Sequence, residues 1–122
     1  MREIKFRAWD KINKEMFNVE SINFQERRVY KDVVSYRKFN DIDIMEYTGL
    51  KDKNNKEIYE GDIITLHNRK YKVIFNAEEA RFVLRDDEFE LEISFTNNNN
   101  KRMEIVGNIY ENSELLGDKN DF

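Results

Sequence analysis

In the segment Phe89-Glu90-Leu91-Glu92-Ile93-Ser94-Phe95 every odd-numbered residue is a large hydrophobe and every residue between is polar. A side-chain period of two belongs to an extended chain with one face buried, and no helix satisfies it. The same alternation opens the chain. From Glu3 to Trp9, Ile4, Phe6 and Ala8 take one side while Lys5, Arg7 and Trp9 take the other. Polar punctuation separates such runs. Asp10 to Lys14 reads as a turn, Met16 to Phe24 as a second extended stretch, and Asp43 to Thr48 as another strand before a polar connection from Gly49 through Lys56.

Beyond that connection the runs shorten and become regular. Ile63–Leu66 and Lys70–Phe75 are joined by His67-Asn68-Arg69 as a three-residue loop, and Arg81–Arg85, Phe89–Phe95 and Met103–Tyr110 follow. Five short strands with tight turns suit a small barrel. Asn112-Ser113-Glu114-Leu115-Leu116 offers an N-cap and a short C-terminal helix stopped by Gly117, with residues 118–122 expected to fray. Residues 25–40 fit two patterns. Val29, Val33 and Arg37 make a helical stripe, whereas the β-branched and aromatic content favours a hairpin turning at Gln25-Glu26-Arg27, and the hairpin is the reading adopted. The expected fold is all-β, with an N-terminal extended and hairpin region over residues 1–57 packed on a small barrel over 58–122.

Composition narrows the chemistry. The 122 residues contain no cysteine and a single histidine, His67, which removes thiolate zinc sites, disulfides and cysteine nucleophiles. The four glycines are scattered, so no phosphate loop or dinucleotide fingerprint is present. Glu60 and Asp62 could form a carboxylate pair, but with no third group nearby the better reading is a turn at Gly61 with Asp62 accepting backbone N–H groups. Asp52 to Glu57 resembles a calcium loop only faintly, since its sixth position is Glu57 and not glycine. Asp86-Asp87-Glu88 reads as a solvated hairpin tip. The expectation is a protein with no catalytic residues, no metal and no cofactor, and hence not an enzyme. No apolar run is long enough to span a bilayer and Met1–Asp10 lacks a secretory apolar stretch, so a cytoplasmic protein is expected.

Charge is unevenly spread. Residues 1–40 carry a net +4 and residues 41–122 a net −8. A basic and an acidic half can dock on one another in neighbouring copies, which points to a homo-oligomer. The candidate interaction surface is basic and aromatic: Lys5, Arg7, Trp9, Arg27, Arg28, Tyr30 and Arg37. Its structural alternative is rings packed inside and cations neutralising the acidic half. Its other functional reading is a nucleic-acid-binding module, cations on phosphates and rings on bases.

Three stretches together resemble the YopX family of phage and prophage proteins. They are Met1-Arg2-Glu3-Ile4-Lys5-Phe6-Arg7-Ala8-Trp9-Asp10, then Tyr47-Thr48-Gly49-Leu50-Lys51-Asp52-Lys53-Asn54 continuing through Lys56-Glu57-Ile58-Tyr59-Glu60-Gly61-Asp62-Ile63, and finally Val106-Gly107-Asn108-Ile109-Tyr110-Glu111-Asn112 with Glu114-Leu115-Leu116. The resemblance implies a phage or prophage accessory protein in a bacterial host cell, a β-rich fold and an SH3-like C-terminal barrel. It brings no catalytic residues. Partners are expected to be a second copy or a host or phage protein, with nucleic acid the lesser expectation and no membrane. Asn55 stands where the family usually has glycine, and Asn is the residue other than glycine that best tolerates positive φ.

Overall fold

The computed structural model describes residues 3–96 and 100–117. All regular structure there is β-strand or short 3-10 turn. The chain divides into two compact units between Tyr47 and Thr48.

In the first unit β1 (Phe6–Asp10) lies between β2 (Glu15–Asn18) and β6 (Ile42–Lys51), antiparallel to both. A second antiparallel sheet contains β3 (Ser21–Asn23), β4 (Arg28–Tyr30) and β5 (Tyr36–Lys38). The ambiguous residues 25–40 are therefore extended and not helical: the turn expected at Gln25-Glu26-Arg27 joins β3 to β4, a second turn between Tyr30 and Tyr36 that was not expected joins β4 to β5, and a 3-10 turn over Phe39–Asp41 follows. The expected single stretch Met16 to Phe24 divides at Val19-Glu20 into β2 and β3, which belong to different sheets. Ala8, Phe17, Val29 and Ile42 form the buried core, with Val19, Ile22 and Phe39 packed against it.

The second unit begins within β6, whose neighbour is β7 (Glu57–Tyr59). Its main sheet contains β8 (Asp62–Leu66), β9 (Arg69–Asn76), β10 (Arg81–Asp86), β11 (Leu91–Ser94) and β12 (Glu104–Asn108). Their order is β11-β10-β9-β8-β12, and the sheet is curled. These are the five strands the alternation predicts, all antiparallel to their neighbours. Ile58, Ile64, Leu66, Tyr71, Val73, Phe82, Leu84 and Met103 form the core they enclose.

Three local expectations are corrected. The β8–β9 turn has two residues, not three: Leu66 pairs with Arg69, and His67 and Asn68 both have positive φ (52° and 65°). That is the backbone of a type I′ hairpin, whose twist matches its flanking strands. The strand expected from Phe89 starts at Leu91, because Asp87 to Glu90 is a turn with Glu90 at φ 54°. Ile93 and Phe95 pack on the core as the alternation requires, while Phe89 and Leu91 remain exposed. The expected C-terminal helix is a 3-10 turn, Ser113–Leu116. The Asn112 side chain does not cap it and instead accepts the Asn108 N–H at 3.1 Å. Gly117, at φ 69°, ends the turn as expected. The asparagines 97–99 and the residues expected to fray, 118–122, lie outside the described residues.

Candidate interaction surface

The sheet β3–β4–β5 has two distinct faces. Register places Val29 between Ile22 and Arg37 on the side of the core, and places Arg28 and Tyr30 on the other side with Lys38 and Tyr36. The outer face is thus a small patch of alternating rings and cations. The Arg28 guanidinium lies over the Tyr36 ring at 4.2 Å and pairs with Glu26 at 3.1 Å. Tyr30 and Tyr36, paired across the strands, have ring centroids 5.6 Å apart. At one end Arg27 stands over the Phe39 ring at 5.6 Å, and Phe24, 76% exposed, meets that ring edge-on. Glu26, Arg27, Arg28, Lys38, Phe39 and Asn40 line an open hollow of about 270 Å³ there. At the other end the β4–β5 loop holds Val33 and Val34 out in solvent, 84% and 78% exposed. The loop is shaped by Asp32, whose carboxylate accepts the Ser35 and Val34 N–H groups and has its pKa lowered by them.

Of the seven sequence candidates, the structure gathers Arg27, Arg28 and Tyr30 on this patch. The other four are elsewhere. Lys5 pairs with Glu3 and lies over the Tyr47 ring, and the Arg7 guanidinium donates to the Met45 sulfur at 3.4 Å. Trp9 is buried, at 8% exposure, so its ring is not presented to a ligand. Alternation alone would turn Trp9 outward with Lys5 and Arg7, but Ala8, Trp9 and Asp10 are all buried, so this end of β1 is covered on both faces. Arg37 turns to the core side of its sheet, donating to Asp10 at 2.6 Å and to the Tyr36 carbonyl at 2.9 Å. Tyr36 and Lys38 complete the outer face in their place, and Phe39 borders its end while packing on the core. Their spacing with Arg28 across a hairpin was the available signal, and using it required the register.

Asp10 is fully buried. Burial pushes its pKa up, but the Asn13 and Ile12 N–H groups, the Arg37 guanidinium and the Asn13 amide more than compensate, leaving it at about 2. The other acidic candidates also shape backbone. Asp52 accepts the Asn54 and Lys56 N–H groups on one oxygen and the Ile105 N–H on the other, tying the β6–β7 connection to β12. Asn55 there has φ 65°. Asp62 accepts the Tyr59 N–H at 2.8 Å beside Gly61 at φ 89°, the turn expected from the sequence. Asp86 and Asp87 sit at a hairpin tip and pair with Arg69, Lys72 and Arg85, and Lys72 and then Arg85 lower the pKa of Asp87. Gly107 is held to glycine by contact, since a Cβ there would stand 2.6 Å from the Asn112 side-chain oxygen. Among the described residues no cluster of three His, Cys, Asp or Glu could hold a metal ion, and no helix is long and apolar enough to cross a membrane.

A family model described as YopX protein matches residues 5–117. Among solved structures, the crystal structure of protein EF1440 from Enterococcus faecalis superposes with a TM-score of 0.75 at 31% identity, over 95% of this chain and 99% of that one. No curated protein matches.

Proposed function

The chain belongs to the YopX family, and on that footing we propose that it is a non-enzymatic accessory protein of a phage or prophage, acting by protein–protein contact through the outer face of β3–β5. The supporting observation is the patch itself: Arg28, Tyr30, Tyr36 and Lys38 gathered on the outer sheet face, with Phe24, 76% exposed, beyond its end. Arginine and aromatic side chains dominate the energetics of protein interfaces because they bury large area and still direct hydrogen bonds. The partner is a second copy, whose residues 41–122 carry a net −8 that complements the cations. The turn-shaping tasks of Asp52, Asp62 and the exposed His67 support a non-enzymatic reading.

Light scattering tests it. The protein should run at a multiple of 14.9 kDa, and R28E with K38E should return it to the mass of one chain. A single-chain mass for the unaltered protein, or one that the substitutions leave unchanged, overturns the self-assembly reading.

Interleaved rings and cations also favour a second reading, nucleic-acid binding. It ranks lower because Arg28 already covers the Tyr36 ring, Arg27 lies over the Phe39 ring and Trp9 is buried, whereas stacking needs free ring faces.

A further inference from the structure

We propose that the groove beside the β8–β9 turn in the second unit is a binding site for a phosphate-bearing anion, with Lys53, Lys70 and Arg102 as its cations. The groove holds about 430 Å³ and is lined by these three residues together with Thr65, His67 and Asn68.

Register shows how the fold brings the cations together. Glu104, Thr65 and Lys70 form one row across β12, β8 and β9. Two strand spacings, about 10 Å, separate the backbones of Lys70 and Glu104. Glu104 is in any case engaged with Lys53 at 3.4 Å. Arg102 enters from the 3-10 turn Asn100–Arg102, which is anchored by the Asn100 amide donating to the Lys51 carbonyl and by the Lys53 N–H donating to Met103. Lys53 is thereby held beside Arg102.

On β9 and β10, Arg69, Lys72, Arg81 and Arg85 each pair with a carboxylate. Lys70 on the same strands and Arg102 beside them have no carboxylate partner among the described residues. Three cations facing one carboxylate repel each other, and an anion relieves that repulsion. The guanidinium fork of Arg102 matches two phosphate oxygens, the ammonium groups add point charges, and Asn68 and Thr65 supply neutral donors. Among the described residues no aromatic side chain lines the groove, so recognition would be of phosphate rather than of a base.

The test is a titration of the ¹⁵N-labelled full chain with inorganic tripolyphosphate at ionic strength held constant with potassium chloride. Saturable shifts are expected at the amides of residues 65–70 and 102–104. Substituting K70Q with R102Q should weaken binding by about a hundredfold or more, since two charge-assisted hydrogen bonds to the anion are lost. A parallel titration with dT12 separates the sources. Tighter binding by dT12 through the same amides assigns the phosphate to a nucleic-acid backbone; equal or weaker binding assigns it to a free polyphosphate, and both uphold the site. No saturable shift with either ligand, or shifts that K70Q with R102Q leave unaltered, overturns it. The site lies in the second unit, so this result is independent of the assembly test on β3–β5.

Discussion

Asp10, Thr48, Asp52 and Asp62 are the buried polar side chains among the described residues, and all four fall in the segments that carry the family resemblance. None is buried without partners. Thr48 donates to the Ile58 carbonyl and accepts the Leu50 N–H, and the three aspartates gather backbone N–H groups that would otherwise lack acceptors. Asp10 shows what this does to stability. Its carboxyl has a pKa of about 2 in the fold against 3.8 as the ordinary value. A depressed folded pKa adds stability that is complete above about pH 4 and lost as pH falls toward 2. Asp10→Asn should therefore destabilise the protein by about 2 kcal/mol near neutral pH, a discounted value because Arg37 is partly exposed. The gap between the two proteins should shrink in urea unfolding at pH 2.5. An equal gap at pH 7 and pH 2.5 would show that the charge contributes nothing.

One loop design serves four hairpins. β1–β2, β3–β4, β9–β10 and β10–β11 are each joined by four residues, because Asp10 pairs with Glu15, Asn23 with Arg28, Asn76 with Arg81 and Asp86 with Leu91. In each, the Asp or Asn that closes the first strand accepts a loop N–H: Asn13, Glu26, Glu79 and Glu88 respectively. In each, the last loop residue has positive φ: Lys14 at 56°, Arg27 at 58°, Ala80 at 55° and Glu90 at 54°. The first strand therefore ends on a short acceptor that starts the turn, and the left-handed residue re-aims the chain for the return. A side chain in that region costs about 1–2 kcal/mol, which glycine avoids at an entropic cost of about 0.5–1 kcal/mol. Ala80→Gly should thus raise stability by about 0.5 kcal/mol, whereas Asn76→Ala should lower it by about 1 kcal/mol through loss of the acceptor. Thermal unfolding of both variants checks the pair, and a destabilised A80G would refute the account of the loop.

The two units differ in how much interior they have. The curled five-stranded sheet encloses eight buried hydrophobes, and the first unit's core cluster has four. Strands β3, β4 and β5 have three residues each. Local opening is least costly where few apolar contacts must break. Amides of Ile64, Val73 and Leu84 should therefore exchange with solvent more slowly than that of Val29, even though all four side chains are fully buried. Equal protection measured by hydrogen exchange would mean that the first unit opens only with the whole chain.

Much of this was legible in the sequence. A period of two, β-branched and aromatic runs and polar turns are local properties, and they determined the all-β class and the five strands of the second unit; residues 25–40 fitted a helical stripe as well, and only the structure decided for strands. The turn roles of Asp62 and Asn55 were equally local, since an acceptor or a tolerated positive φ acts within a few residues. Tertiary structure decided what depends on distance across strands. It buried Trp9 by covering β1 on both faces, and it sent Arg37 to Asp10, 27 positions away. It exposed Phe89 by ending the alternation in a turn, and it set Lys70 in a row with Thr65 and Glu104. Alternation tells which residues share a face of one strand, but only register and packing determine what that face meets.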